Sequence, residues 1–377
     1  PPTWRIDLKH KTDLVEEIAR ITGYDRIPVR LPVAPPGRGL TRAQQQRRRV
    51  ANALAASGLV EVQNYPFNSV EQVSQFAVTD FDGAHFVKLA NPLQGESGTM
   101  RVSLLPGLIE AAARNRSRGL NDLALFEVGS VFHAVAEVKA TAALPSGVEK
   151  PDAKALAKLQ ATIPNQPKHI TALFIGDRVI QQAGQKSVAA NYQDAIQASR
   201  VIASALGLHI QVVQESPKGY HPGRTAALYV ETATDRELIG YAGELDPQVA
   251  LDANLPRRVA VLELNLDKAG QAAAQVITAQ AVDVYPAATQ DLSVVVAADV
   301  PASSVLQGIQ RGAGDLLENV MLTDDYRGEN IAEGKKSLTF ALRFRAADRT
   351  LTQAEASEAR DTAVALLNKL FGAEIRA

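Results

Sequence analysis

Four carboxylates crowd into eleven residues near the start of the chain: Asp7, Asp13, Glu16 and Glu17. Hard oxygen ligands at this density suit Mg²⁺ or Ca²⁺. The same residues have a second use. Asp13-x-x-Glu16 is by itself a helix N-terminal cap, and acids in a first turn are favoured by the helix dipole. Spacing alone favours capping over metal binding. Elsewhere the groups that could do chemistry are sparse. The sequence has no Cys, which excludes disulfides, thiolate nucleophiles and Cys-based zinc sites. His221-Pro222-Gly223 could supply a catalytic base, but no nucleophile or orienting carboxylate stands at a recognisable spacing. It reads as a turn entering a strand at Ala226 to Val230. Arg47-Arg48-Arg49 could grip phosphate, yet on a helix whose Val50 and Leu54 face inward they read as a solvated face. Arg114, Arg116 and Arg118 carry the same ambiguity.

The elements that must position these residues fall into three units, more than one hydrophobic core organises in 377 residues. Residues 1–30 hold a strand, Thr3 to Leu8, and a helix opening at Thr12 or Asp13 and closing at Gly23, with Leu14, Ile18 and Ile21 on one face. The Pro- and Gly-rich stretch 31–40 reads as a linker. Residues 41–275 open with a helix capped by Thr41 and stopped by Gly58. Strands follow at Val60 to Phe67, Leu123 to Phe132, Ile170 to Ile175, Ala226 to Val230, Leu238 to Leu245 and Val259 to Leu266, with helices at Pro106 to Arg116 and Tyr192 to Leu206. Long connections between strands favour a mixed or antiparallel sheet over a doubly wound one. Residues 134–168 read as a surface insertion.

Residues 283–377 give the clearest pattern, an α+β unit in βαββαβ order, the ferredoxin-like split motif. Its parts are a strand Asp291 to Ala297, a helix from Pro301 to Gly312, and strands Leu317 to Tyr326 and Ser337 to Arg345. A helix with the capping box Thr352-x-x-Glu355 then stops at Gly372, before a last strand Ala373 to Arg376. Leu338, Phe340, Leu342 and Phe344 alternate with Thr339, Ala341, Arg343 and Arg345, so one face is core and the other is wet and partly basic.

The charge of the chain limits what it can bind in bulk. Lys plus Arg number 40 against 41 Asp plus Glu, so coating of nucleic acid or an anionic membrane is excluded and any RNA contact must be a local patch. The last unit has 14 acidic and 10 basic residues. Its candidate RNA face is Arg327, Lys335, Lys336, Arg343 and Arg345. No apolar run reaches the roughly 18 residues of a membrane span, and a secretory pattern is missing at the N-terminus. A chain that opens at Pro1, two residues before a strand, reads as a fragment of something longer.

Several motifs carry a resemblance. Pro1-Pro2-Thr3-Trp4-Arg5-Ile6-Asp7, Asp13-Leu14-Val15-Glu16-Glu17-Ile18-Ala19-Arg20-Ile21-Thr22-Gly23-Tyr24 and Ile27-Pro28 match the end of a B5 domain nearly position by position. Asn91-Pro92-Leu93, Met100 to Leu108, Leu125-Phe126-Glu127-Val128-Gly129 and His221-Pro222-Gly223-Arg224 resemble a relative of the class II synthetase core. Tyr285-Pro286-Ala287, Asp291 to Val296, Tyr326-Arg327-Gly328 and Lys336-Ser337-Leu338 resemble a ferredoxin-fold anticodon-binding domain, with Gln290 where the pattern has a basic residue. In this order they resemble the β subunit of the bacterial phenylalanyl-tRNA synthetases. The resemblance implies a B5-type end, a class II-like antiparallel module that has lost catalysis, and a C-terminal ferredoxin-like domain. It implies that Asp7, Asp13, Glu16 and Glu17 ligate a Mg²⁺ at a site shared with the α subunit, and that ATP and phenylalanine are bound on α. It further implies an α2β2 assembly charging tRNA(Phe) in the cytoplasm, with proofreading domains N-terminal to this segment.

The residues agree on the missing catalysis. An active class II site needs an Arg on its motif-2 strand and another near a Gly-rich strand to neutralise phosphoryl charge. The motif-2-like strand reads Leu125-Phe126-Glu127, and no Gly-x-Gly-x-x-Arg follows Val259 to Leu266. A different class of reading is a free-standing RNA-binding protein, because βαββαβ is also the topology of RNA-recognition modules and Gly334 to Phe340 superficially resembles their aromatic strand. Facing separates the two: Phe340 and Phe344 share parity with Leu338 and Leu342, so they point to the core instead of stacking on bases.

Overall fold

The computed structural model describes residues 1–33, 35, 37, 39–76, 86–92, 95, 97–134, 151–232, 235–273, 279 and 284–376. It divides into two compact α+β units, Pro1–Ile277 and Thr278–Ala377.

The first unit begins with α1 (Lys11–Thr22) and α2 (Arg42–Ala56). Thr41 caps α2 as expected. Its hydroxyl accepts from the Gln44 N–H at 3.3 Å, and the Gln44 side chain returns the bond to the Thr41 N–H at 2.9 Å. Val50 and Leu54 are the buried residues of α2, which leaves Arg47, Arg48 and Arg49 exposed. The sheet is built from β1 (Val60–Glu61), β2 (Leu123–Ser130), β3 (Lys168–Ile175), β4 (Ile210–Gln214), β5 (Tyr220–Glu231), β6 (Arg236–Leu245) and β7 (Ala260–Asn265). Their spatial order is β1-β2-β3-β7-β6-β5-β4, antiparallel throughout except for the short β1–β2 pair. Helices α3 (Leu105–Arg116), α4 (Tyr192–Leu206) and α5 (Leu266–Ala272) complete the layers.

Alternation along the strands divides two cores. On β7, Ala260, Leu262 and Leu264 pack with Leu54 of α2 and with Ala198 and Ile202 of α4. Val261 joins Leu105 and Leu108 of α3 on the opposite face. That second face also carries charge. Register places Glu127 opposite Thr171, Thr171 opposite Glu263, and Glu263 opposite Tyr241, one row across four strands. Glu127 is 1 % exposed and is paired with Arg101 at 2.7 Å, while Asn64 donates to its other oxygen at 2.7 Å. The Arg101 Nε also reaches the Ser130 carbonyl at 2.9 Å. A Cβ on Gly129 would lie 2.2 Å from the Arg101 Nη2, so this position must be glycine for the guanidinium to sit against β2.

Three expectations change. Thr3 to Leu8 is a run of turns rather than a strand. Arg5 N–H bonds back to the Pro2 carbonyl, Leu8 N–H to Arg5 and Lys9 N–H to Asp7, so local bonds replace the neighbour that a strand requires. Val60 to Phe67 is interrupted: Glu61 ends β1, and Phe67–Asn68 pairs instead with Thr99–Met100. His221-Pro222-Gly223 lies inside β5, where the register slips between Tyr220 and Thr225, and His221 Nδ1 accepts from the Gly223 N–H at 3.0 Å. It is an irregularity within the strand. Of the stretch 134–168, residues 135–150 lie outside the described residues, and the remainder contains a helix, Ala153–Gln160.

The second unit comprises β8 (Ala288–Ala297), α6 (Ala302–Ala313), β9 (Leu317–Tyr326), β10 (Lys335–Phe344), α7 (Gln353–Phe371) and β11 (Glu374–Ile375). The order β9-β10-β8-β11, wholly antiparallel, is the ferredoxin-like arrangement. Leu338, Phe340, Leu342 and Phe344 are each at most 1 % exposed and pack with Ile309 of α6 and Leu367 of α7. Gly312 permits a close helix crossing, since a Cβ there would stand 2.5 Å from the Ala363 Cα. At the start of α7 the Glu355 carboxylate accepts from the Thr352 N–H at 2.8 Å and from Arg349 at 2.9 Å. Those bonds, the backbone one foremost, push its pKa down to about 2.

Two predictions come from these contacts. Glu127→Ala leaves Arg101 buried without its counter-charge and should cost about 3–5 kcal/mol in urea unfolding, whereas Arg101→Met with Glu127→Leu should recover most of the loss. Because the folded pKa of Glu355 lies below its unfolded value, its contribution is present above that unfolded value, roughly pH 4.3, and is lost as pH falls through about 2. Amide exchange at the first turn of α7 should be faster in Glu355→Gln than in the parent at pH 6, and the difference should vanish near pH 2.

Candidate functional site

The acidic segment has few long-range supports. No residue of α1 is buried, and Trp4, Ile6, Leu14, Val15, Ile18 and Ile21 are all exposed. Asp13 caps the helix from within, its Oδ2 accepting from the N–H groups of Lys9 at 2.8 Å and His10 at 2.7 Å. These bonds hold its carboxyl below the usual carboxylate range. Asp7 pairs with Arg5 at 2.7 Å, and Glu17 is held between Arg5 and Arg20, so both are shifted down as well. Glu16 accepts from the Tyr24 hydroxyl, which raises the tyrosine pKa. Among the described residues no three acidic or imidazole groups stand close enough to share a metal ion. As arranged, with Arg5 between Asp7 and Glu17, the four carboxylates do not form a Mg²⁺ cage.

The polar row of the first unit is more deeply built. Glu263 is 8 % exposed. Its Oε1 accepts from the Leu104 N–H at 3.1 Å and stands 2.8 Å from His169 Nδ1, while its Oε2 accepts from the Ser103 hydroxyl. Thr171, between the two glutamates, donates to the Leu262 carbonyl at 2.7 Å. Two carboxylates therefore share a buried face with one guanidinium, and that guanidinium is already paired. Such a face is ill suited to a triphosphate, whose charge needs free cations. Sequence reasoning missed Glu263, His169 and Ser103 because they meet only in the folded sheet. The one available signal was Glu263 itself, a charge in the middle of the apolar run Val259 to Leu266.

In the second unit the face of β10 turned away from the helices bears Thr339, Ala341 and Arg343, and the Thr339 hydroxyl shares a bond with Ser293 of β8 at 2.9 Å. Four of the five candidate RNA-contacting cations are engaged by carboxylates. Arg343 and Arg345 both bond Glu318, at 2.7 and 3.0 Å, holding its pKa down. Arg327 pairs with Asp325 at 3.1 Å and Lys335 with Glu374 at 3.5 Å. Lys336 has the parity of the core residues and is 5 % exposed. Gln290 bonds Ser357 of α7 at 2.9 Å. Sequence reasoning missed Arg376, whose guanidinium lies 5.0 Å from the centroid of the Tyr326 ring, a cation–π arrangement.

Comparison with known proteins agrees along the chain. A model of the phenylalanyl tRNA synthetase beta chain CLM domain matches residues 27–266, one of the ferredoxin-fold anticodon binding domain matches residues 284–376, and one of the tRNA synthetase B5 domain matches residues 1–24. The phenylalanine–tRNA ligase beta subunit of Leifsonia xyli subsp. xyli is 50 % identical over 376 residues, covering 100 % of this chain and 44 % of its own length. Those of Streptomyces avermitilis and Thermobifida fusca are 45 % and 44 % identical, each covering 100 % of this chain and 45 % of the relative. The chain thus spans less than half the length of the curated relatives it matches. It belongs to the phenylalanyl-tRNA synthetase β-chain family.

Proposed function

We propose that the chain is the scaffolding and tRNA-contacting portion of a phenylalanine–tRNA ligase, acting with a catalytic α subunit in an α2β2 complex in the cytoplasm. The observation that carries this reading is the match of residues 27–266 to the β-chain CLM domain, in a unit whose sheet presents paired carboxylates where phosphoryl transfer would need free arginines. ATP and phenylalanine are then bound by α, and this chain supplies a rigid platform. The free-standing RNA-binding alternative is not favoured, since Phe340 and Phe344 are wholly buried and cannot stack on bases. Among the described residues no helix is long and apolar enough to cross a membrane.

The second unit is the tRNA-contacting part under this reading. Tyr326 offers a ring on which an unstacked base can lie once Arg376 swings aside, and Arg376 then meets phosphate. Arg327, Lys335, Arg343 and Arg345 serve RNA to the degree that tRNA phosphates displace their carboxylate partners, and Lys336 to the degree that its ammonium is brought out to the surface. In the complex formed with the full-length β chain, Tyr326→Ala should raise KM for tRNA(Phe) about 10-fold, as expected for loss of about 1–3 kcal/mol of stacking. Phenylalanine activation without tRNA should be unchanged. An unaltered KM for tRNA would remove Tyr326 from the interface.

Mg²⁺ at Asp7, Asp13, Glu16 and Glu17 has a stated requirement within the same proposal. Arg5 must give up Asp7 and Glu17 to the ion. Arg5→Ala in the complex should therefore tighten Mg²⁺ binding measured by calorimetry. Unchanged or weaker binding would argue that these carboxylates serve only the helix and its ion pairs.

A further inference from the structure

On the α3 side of the sheet, a cavity of about 270 Å³ opens among Phe76, Leu105, Tyr220, Tyr241, His169 and Glu263. We propose that it binds a small neutral aromatic molecule, one ring or a fused pair, through a hydroxyl group that meets the Tyr220 phenol and the His169 ring. This inference rests on the geometry of the cavity and is independent of the aminoacylation reading.

Volume sets the size. An apolar cavity of about 150 Å³ accepts benzene, and drug-sized ligands take about 300 Å³ or more. The walls set the ring: Phe76 meets Tyr220 edge-on at 6.4 Å between centroids, and Tyr220 meets Tyr241 at 6.0 Å, a lining on which a further aromatic edge or face packs well.

The hydrogen-bond inventory sets the polar group. Tyr220 is only 8 % exposed and lines the cavity, and among the described residues its hydroxyl has no protein partner, so it is available to a guest. Burial raises its pKa well above the ordinary value, so it remains a donor. His169 presents Nδ1 to Glu263 at 2.8 Å. With Nδ1 engaged there, Nε2 is the ring atom left for a guest. A hydroxyl both donates and accepts, so it suits this pair of groups whichever role each takes.

The same inventory argues for neutrality. Glu263 already faces Ser103, the Leu104 N–H and His169, which leaves little for a cationic guest. The lysines at the mouth are committed as well, Lys218 to the Ser74 carbonyl at 2.8 Å and Lys268 to Glu237 at 2.9 Å, which leaves neither lysine free for a carboxylate.

The test is ligand-observed NMR and calorimetry on the chain with phenol and 2-naphthol as probes, and benzoate, benzylamine and L-phenylalanine as charged controls. Phenol or 2-naphthol should bind saturably with Kd below about 1 mM, and at least 5-fold more tightly than any charged control. Tyr220→Phe, which keeps the ring, should weaken phenol at least 5-fold with an unchanged circular dichroism spectrum. Leu105→Trp, filling the cavity, should abolish binding. Absence of saturable binding, meaning a cavity that holds water alone, would overturn the proposal. So would a charged control binding as tightly as phenol, or Tyr220→Phe binding phenol undiminished.

Discussion

Two glutamates in one row of a buried sheet dictate much of the first unit. A carboxylate in such surroundings is tolerable only with several donors around it, and neither Glu127 nor Glu263 finds them on its own strand. Asn64 and Arg101 come to Glu127; Ser103, Leu104 and His169 come to Glu263. The segment carrying residues 101–104 has to cross this face, and α3 starts immediately after it, at Leu105. Gly129 is bare because the guanidinium of Arg101 needs the space. Each carboxylate on this face is thus met by donors from other segments.

The second unit reverses the arrangement. Its core is apolar, with Val294, Phe340 and Leu367 entirely buried, and most of its cations are paired with carboxylates outside that core. Glu318, Asp325 and Glu374 balance them. Under the proposed function, a unit with more acid than base meets a polyanion by exchanging such partners locally, and Arg376, over Tyr326, has no carboxylate partner among the described residues.

Local patterns were readable in the sequence. Tyr192 to Leu206 matches its helix residue for residue, Leu317 to Tyr326 its strand, and the alternation in β10 assigned Phe340 and Phe344 to the core. Capping chemistry at Thr41 and Thr352 was equally plain, because both partners lie within three residues. What depended on distant neighbours was not readable. Thr3 to Leu8 has strand-like residues but, among the described residues, no strand beside it. The cavity is formed by residues as far apart as Phe76 and Lys268. Arg5, which occupies the space between Asp7 and Glu17, was part of a recognised motif, yet its ion pairs became visible only once the turns brought it round.

The proposed function has this chain support an active site that lies on another subunit. Phenylalanine-dependent ATP–pyrophosphate exchange, run on the chain alone and on the full-length β chain mixed with its α subunit, tests that most directly. The account predicts no exchange by the chain and robust exchange in the mixture. Exchange by the chain alone would mean that the face bearing Glu127 and Glu263 is a working catalytic site, and would contradict it.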